Sequence, residues 1–331
     1  MYIIAEIAQA HDGSLGIAHS YIDALAETGV HAVKFQTHIA YAESSVHEPF
    51  RVKFSYEDAT RYDYWKRMEF TAEQWAGIKS HCEEKGLEFI SSPFSCAAVD
   101  LLQQLGVQKY KIGSGEVSNL LMLEKIALTG KDILLSSGMS SLNELDATVG
   151  FLKPFGNSIS VLQCTTAYPT VAGQWGLDVI SVLKNRYHLP VGFSDHSGDI
   201  YACLAATALG AQLLEFHAVF DKRMFGPDAK ASLTIDQIKN LVQGVNEISK
   251  DLSTKSNKDS SESFSDLKKI FQKSLAVNKD LDAGHIISFD DLEAKKPAGF
   301  GIDAKDFKRV IGKILKQKKS AQDFLQENDF E

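Results

Sequence analysis

His196 and His217 stand about one strand-to-strand repeat apart, and each follows a short apolar run, Val191 to Ser194 before the first and Leu213 to Phe216 before the second. Between the runs, Ile200 to Leu209 carries a helical pattern, so the segment reads strand, helix, strand. Adjacent parallel strands joined by such a crossover deliver both imidazoles to one rim. Two neutral imidazoles at a cleft suit a divalent transition metal. A lone histidine is more often packed or solvated, and this spacing by itself is no ligand motif. The neighbouring residues strengthen the reading: Ser194 and Asp195 precede His196, and Gly226, Pro227 and Asp228 close a loop after His217. Asp195 is expected to orient the His196 ring from behind.

Residues able to bind an anion stand at the ends of the other apolar runs. Strand-type runs are expected at Ile3–Glu6, Ala32–Gln36, Glu88–Ser92, Lys109–Ile112, Ile133–Ser136, Ile159–Cys164, Val191–Ser194 and Leu213–His217. They end in or near Glu6, Lys34 and Gln36, Ser92, Lys111 with Ser114 and Glu116, Ser136, Thr165 with Thr166 and Tyr168, Ser194 with His196, and His217. Individually, a lysine at a strand end snorkels to solvent and a Ser or Thr caps the next helix. Together, Lys34 and Lys111 with the serines form a cradle for phosphate and carboxylate oxygens, point charges joined to neutral donors. Glu6, Glu116 and Asp228 belong to the same mouth, where nearby lysines keep a carboxylate ionised and suited to accept protons or sugar hydroxyls.

Helical patterns alternate with these runs, around Ile17–Thr28, Ala72–Lys85, Ala97–Leu105, Leu120–Leu128, Leu142–Phe151, Val179–Arg186, Ile200–Leu209 and Ile235–Leu252. Eight strand–helix repeats over about 250 residues are what a closed (β/α)8 TIM barrel requires. An open doubly wound sheet would carry a glycine-rich nucleotide turn after its first strand, and AQAHDGS lacks one. The expected organisation is an α/β barrel over residues 1–252, a linker over 253–271 that includes the polar run STKSNKDSSES, and a small module over 272–331. A long aromatic and charged insertion, Thr37 to Phe70, reads equally as a lid over the pocket or as a packed peripheral excursion. No catalytic residue is assigned to it.

The composition narrows the function classes. A formal net charge of −8 opposes nucleic-acid binding, so an anionic substrate must be held by locally placed lysines. Four cysteines, Cys82, Cys96, Cys164 and Cys203, lie far apart with no CxxC, which argues for reduced thiols in a cytoplasmic setting. The first residues, MYIIAEIAQAHDGS, lack a basic region ahead of an apolar core, and no run reaches membrane-spanning length.

The segments IIAEIAQAHDGS, VKFQTHIA, FISSPF, YKIGSGEVSN, ILLSSGM, LQCTTAYPT, GFSDHSGDIYACLAATALGA and LLEFHAVFDKRMFGPD together resemble the sialic acid synthase family, in order and over nearly the whole chain. The last part, KSLAVNKDLDAGHIISFDDLEAKKPAGFGI followed by VIGKIL, resembles the antifreeze-like (SAF) domain attached to those enzymes. The resemblance implies a transferase that condenses phosphoenolpyruvate with N-acetylmannosamine or a related N-acyl hexose, giving a nine-carbon 2-keto acid and phosphate. It also implies a divalent ion, Mn²⁺ ahead of Mg²⁺ or Co²⁺, on His196 and His217. Lys34, Ser92, Lys111, Ser114, Ser136 and Ser194 would hold phosphoenolpyruvate, while Glu6, Gln36, Glu116, Tyr168 and Asp228 would face the sugar. Glu116 is the expected handler of the proton from water, with Glu6 its rival. The chain departs from the family pattern at Thr166, where an asparagine is usual, and at Lys296, where an arginine is usual. Lysine has no guanidinium fork to grip the sugar. The family arrangement further implies a homodimer in which Lys296 enters the partner's barrel.

Three rivals share parts of this reading: a synthase for a legionaminic-type acid from a 2,4-diacetamido-trideoxy hexose, a Schiff-base aldolase using Lys111 or Lys34, and a non-catalytic carbohydrate-binding protein. A metal-dependent synthase should lose phosphate release from phosphoenolpyruvate on chelation and leave no borohydride-trapped adduct with a keto substrate. An aldolase would survive chelation, be trapped by borohydride with its keto substrate and release no phosphate from phosphoenolpyruvate.

Overall fold

The structure is a computed structural model that describes residues 1–52, 54–255 and 257–331. Residue 53 of the long insertion and residue 256 of the polar linker lie outside the described residues. The chain divides into two units, Met1–Thr254 and Lys255–Glu331.

The first unit is a closed barrel of eight parallel strands. They are β1 (Tyr2–Glu6), β2 (Ala32–Thr37), β3 (Glu88–Pro93), β4 (Lys109–Ile112), β5 (Asp132–Ser136), β6 (Ile159–Cys164), β7 (Val191–Asp195) and β8 (Leu213–Val219), each paired with the next. The ring closes where β1 pairs with β8, Glu6 lying opposite His217. The strands fall where the apolar runs place them. β8 runs two residues further than expected because a short β9 (Leu233–Thr234) pairs with its end, Ala218 against Leu233.

Helices between the strands form at the expected stretches, and several carry the capping chemistry that starts a helix. Thr71 with Gln74, Ser141 with Glu144, and Thr234 with Gln237 are reciprocal capping boxes at the starts of Ala72–Glu84, Leu142–Leu152 and Ile235–Ser253. Within the insertion two helices were not expected, Ala40–Glu43 and Arg61–Met68. The second is started by a Thr60–Asp63 capping box and buries Tyr64, Trp65 and Met68. Its apolar face spans too few turns to stand out from an aromatic-rich loop.

Strand alternation sorts side chains between two environments. On β1, Ile3 and Ala5 pack into the main core under the helices, whereas Ile4 faces the barrel axis. Ile4, Ala32, Ile90, Leu134, Leu162 and Leu213 make one apolar layer across the axis. This layer plugs the barrel, so the polar residues two positions further along each strand stand on a dry floor.

In the second unit, β10 (Ser274–Val277) pairs antiparallel with β11 (Leu292–Lys295), and Leu275, Val277, Leu281, Ile287, Ile302, Val310, Leu315, Leu325 and Phe330 form its core. The stretch 253–271, expected as linker, is not irregular throughout. Its last residues, Ser265–Phe271, are helical, and Leu267, Ile270 and Phe271 recur there at helical spacing just after the polar run that suggested a linker.

The apolar floor leaves no room at one position. A Cβ on Gly192 of β7 would lie 2.8 Å from the Leu213 carbonyl oxygen, 2.9 Å from the Leu213 Cβ and 3.0 Å from the Leu162 Cγ. Gly192→Ala is expected to destabilise by roughly 1–3 kcal/mol through overpacking. A lowered thermal midpoint checks it; an unchanged one would mean that the floor yields.

Candidate active site

Directly above the apolar floor lies a layer of buried charge. Glu6, Lys34, Lys111 and Glu215 are each no more than 3 % exposed. Lys34 Nζ donates to Glu6 Oε1 at 2.5 Å and to Ser92 Oγ at 3.4 Å. Lys111 Nζ donates to Glu215 Oε1 at 2.5 Å, and Ser194 Oγ donates to the same oxygen at 2.9 Å. Lys34 Nζ also stands 3.9 Å from that oxygen, which joins the two pairs into one cluster. Register explains the grouping: Glu6 is level with Lys34 on one side and His217 on the other, and Ser194 is level with Glu215.

Burial opposes the charged forms of Glu6 and Lys111, yet both stay ionised. It pushes the Glu6 carboxyl upward, but Lys34, His217 and Lys111 outweigh it and hold Glu6 below the usual carboxylate range. For Lys111, burial favours the neutral amine, and Glu215, Cys164 and Glu6 reverse the balance, so its ammonium is held more firmly than in water.

The two imidazoles sit at the rim, 5.2 Å between ring centroids. His196 Nδ1 donates to the Thr165 carbonyl at 2.7 Å, which leaves the Nε2 lone pair free to accept from the Tyr168 hydroxyl at 3.0 Å. Burial, and then the His217 charge, drives the His196 pKa well below its ordinary value and keeps the ring neutral. His217 Nε2 lies 3.3 Å from Glu6 Oε2. Two neighbouring ring nitrogens, one with a fixed free lone pair, with a carboxylate oxygen beside them fit one edge of a divalent-metal site. Among the described residues no group of three or more His, Cys, Asp or Glu side chains is arranged to hold an ion, so water and substrate oxygens would complete the coordination.

These residues line a cavity of about 520 Å³ at the C-terminal mouth of the barrel. Glu6, Lys34, Gln36, Ser92, Lys111, Ser114, Ser136, Thr166, Tyr168, Ser194, Asp228, His196 and His217 all border it, as the strand-end reading expects. Glu116 does not. Its carboxylate lies in the 3-10 turn Ser114–Glu116 beyond β4 and accepts from Asn119 Nδ2 at 2.8 Å, and burial raises its pKa. The turn breaks strand alternation after Lys111, so proximity in sequence does not bring Glu116 inward. Asp195 is also corrected. It accepts from Ser197 Oγ at 2.6 Å, while the backbone of Thr165 orients His196. Lys296 belongs to the second unit, where its ammonium lies 5.0 Å from the Phe271 ring centroid.

Several lining residues were missed. Glu215 was legible, because it stands two residues before His217 on β8 and therefore shares its face. Glu48, Arg51, Arg61 and Trp65 come from the insertion, so it roofs the cavity. Arg51 Nη2 donates to Asp228 Oδ1 at 2.8 Å, and its guanidinium carbon lies 4.3 Å from the Tyr168 ring centroid. Gln9 and His38 also border the cavity, and nothing in their local sequence marks them.

A family model described as the NeuB family matches residues 21–257, and one for the SAF domain matches residues 272–331. The N,N'-diacetyllegionaminic acid synthase of Campylobacter jejuni is 34% identical, with 98% of each chain covered. The human N-acetylneuraminate-9-phosphate synthase is 31% identical over 94% of this chain and 88% of its own length. Among solved structures, the N-acetylneuraminic acid synthetase of Leptospira borgpetersenii, in complex with citrate, superposes with a TM-score of 0.71 at 28% identity, covering 80% of this chain and 89% of that one.

Removing one member of the charge layer strands the others. Glu215→Gln leaves Lys111 buried without its counter-ion and is expected to cost roughly 3–5 kcal/mol. The double change Lys111→Met with Glu215→Leu should recover part of that loss, since the desolvated charge goes with its partner. Denaturant midpoints compare the two; a double variant less stable than Glu215→Gln would contradict the cluster's assigned energetics.

Proposed function

The chain belongs to the NeuB family and carries a SAF domain, and from that premise we propose that it is a nonulosonic acid synthase condensing phosphoenolpyruvate with an N-acyl hexose. The observation that carries this reading is the buried lysine–carboxylate layer beneath paired imidazoles in one cavity. A sugar-binding module has no use for two fully buried lysines beneath a pair of imidazoles. A Schiff-base aldolase needs a lysine that loses its proton readily, and Lys111 is biased the other way.

Lys34 and Lys111, with Ser92, Ser114, Ser136 and Ser194, hold the phosphate and carboxylate of phosphoenolpyruvate. Gln36, Thr166, Tyr168 and Asp228 face the hexose. When bound at His196 and His217, a divalent ion such as Mn²⁺ supplies Lewis-acid polarisation of the hexose carbonyl oxygen. The double-bond pair of phosphoenolpyruvate forms a new bond from C3 to the hexose carbonyl carbon, while the carbonyl π pair passes to its oxygen, which takes a proton to become a hydroxyl. Water adds at C2, and its proton passes to Glu6, whose surroundings keep it an ionised acceptor. The C2–O bond to phosphate then breaks. As charge grows on the departing phosphate, the two ammonium groups stabilise it without rearranging, because their carboxylate partners already fix them in place.

The acceptor is N-acetylmannosamine, a 6-phosphorylated sugar or a 2,4-diacetamido-trideoxy hexose, a choice in keeping with relatives named for N-acetylneuraminate 9-phosphate and N,N'-diacetyllegionaminic acid. The enzyme works in the cytoplasm as a homodimer, with Lys296 of each SAF domain directed to the partner's acceptor. A panel of these hexoses with phosphoenolpyruvate, read by phosphate release and product mass, tests the reading. One hexose should give a product of hexose plus pyruvate, and His217→Ala should abolish that turnover while leaving the thermal midpoint close to wild type. Phosphate release with none of the panel, at any divalent ion, would sink the assignment.

A further inference from the structure

A chain of side-chain hydrogen bonds runs from the insertion to the charge layer, and its polarity can be worked out. Both ends are carboxylates, which only accept. Glu43 Oε1 lies 2.7 Å from His38 Nδ1, so Nδ1 carries the proton and donates. At the other end, Gln36 Nε2 donates to Glu6 Oε1 at 2.7 Å, which turns Gln36 Oε1 back toward His38, 3.2 Å from Nε2. Two acceptors then face one another. The Gln9 amide nitrogen lies between them, 3.0 Å from His38 Nε2 and hydrogen-bonded to Gln36 Oε1, and its two protons satisfy both. A proton on His38 Nε2 would meet that NH₂ group head on.

The ring cannot turn over to exchange its nitrogens. It is buried and stacked between Trp65, at 3.8 Å and 18° between planes, and Phe94, at 4.6 Å and 14°. With both Gln9 protons committed, the Gln9 carbonyl oxygen takes no part in the chain, and Gln9 borders the cavity beside Gln36. We propose that His38 and Glu43 are a positioning pair that fixes the Gln9 and Gln36 amides, so that the Gln9 carbonyl reads a hydroxyl or amide N–H donor on the acceptor sugar. This assignment of the ligand rests on the proposed synthase reading; the amide polarity does not.

Two variants separate the nitrogens. His38→Asn keeps a donor for Glu43 but removes the acceptor for Gln9, whereas His38→Gln keeps an acceptor near Nε2. His38→Asn should raise the hexose KM by about tenfold to a hundredfold, the effect of a polar group left unmet, with the phosphoenolpyruvate KM within about twofold of wild type. His38→Gln should recover most of that loss. Equal effects of the two variants, no effect of either, or a matching rise in the phosphoenolpyruvate KM would overturn the proposal. The second measurement needs no turnover: ¹⁵N-histidine spectra of the wild-type protein, with His38 assigned by its absence in His38→Gln. A proton on Nδ1 and a free Nε2 are expected, and a proton on Nε2 overturns the relay even if the enzyme is active. Failure of every hexose with a correct tautomer would instead strike the synthase reading and the sugar assignment with it, leaving the amide polarity standing.

Discussion

The site depends on four charges held in a place that disfavours charge. Glu6, Lys34, Lys111 and Glu215 can share the barrel axis only because each lies within reach of an opposite charge above an apolar floor. Removed from that grouping, Glu6 and Lys111 would lose the partners that offset their burial. The layer is therefore a single device rather than a set of separate residues, and it exists because eight strands share a register that sets these side chains level.

Above that layer the polar groups become less constrained. The imidazoles stand at the rim, and the roof supplied by Glu48, Arg51, Arg61 and Trp65 combines an aromatic ring with guanidinium groups. Arg51 illustrates the gradient: it bonds Asp228 and lies over Tyr168, yet remains half open to solvent. Burial is greatest where charge must be stabilised and least at the roof, in keeping with a cavity that opens outward from a plugged barrel.

The barrel itself was legible because apolar strand-type runs alternating with helical patterns eight times leave few other folds open. The strand-end residues followed from it, since alternation from one identified side chain predicts the face of the next but one. What escaped was of two kinds. Glu116 was misplaced because a 3-10 turn interrupts the alternation, and no residue in SGE announces that interruption. Gln9, His38 and the insertion residues were missed because their grouping arises from tertiary contact between segments that carry no shared period. Glu215 belongs to neither kind; it stands two residues before His217 on β8, and strand alternation alone puts it on the same face.

The bond from His196 to the carbonyl of residue 165 has a separate consequence. The group that sets this ring's tautomer is part of the main chain, so it persists whatever side chain stands at that position. Substitutions at 166 can therefore alter the shape and polarity of the pocket wall while the imidazole keeps its orientation. The framework thus separates tuning of substrate choice from upkeep of the reactive centre, and divergent sugar preferences become accessible without dismantling the chemistry beneath them.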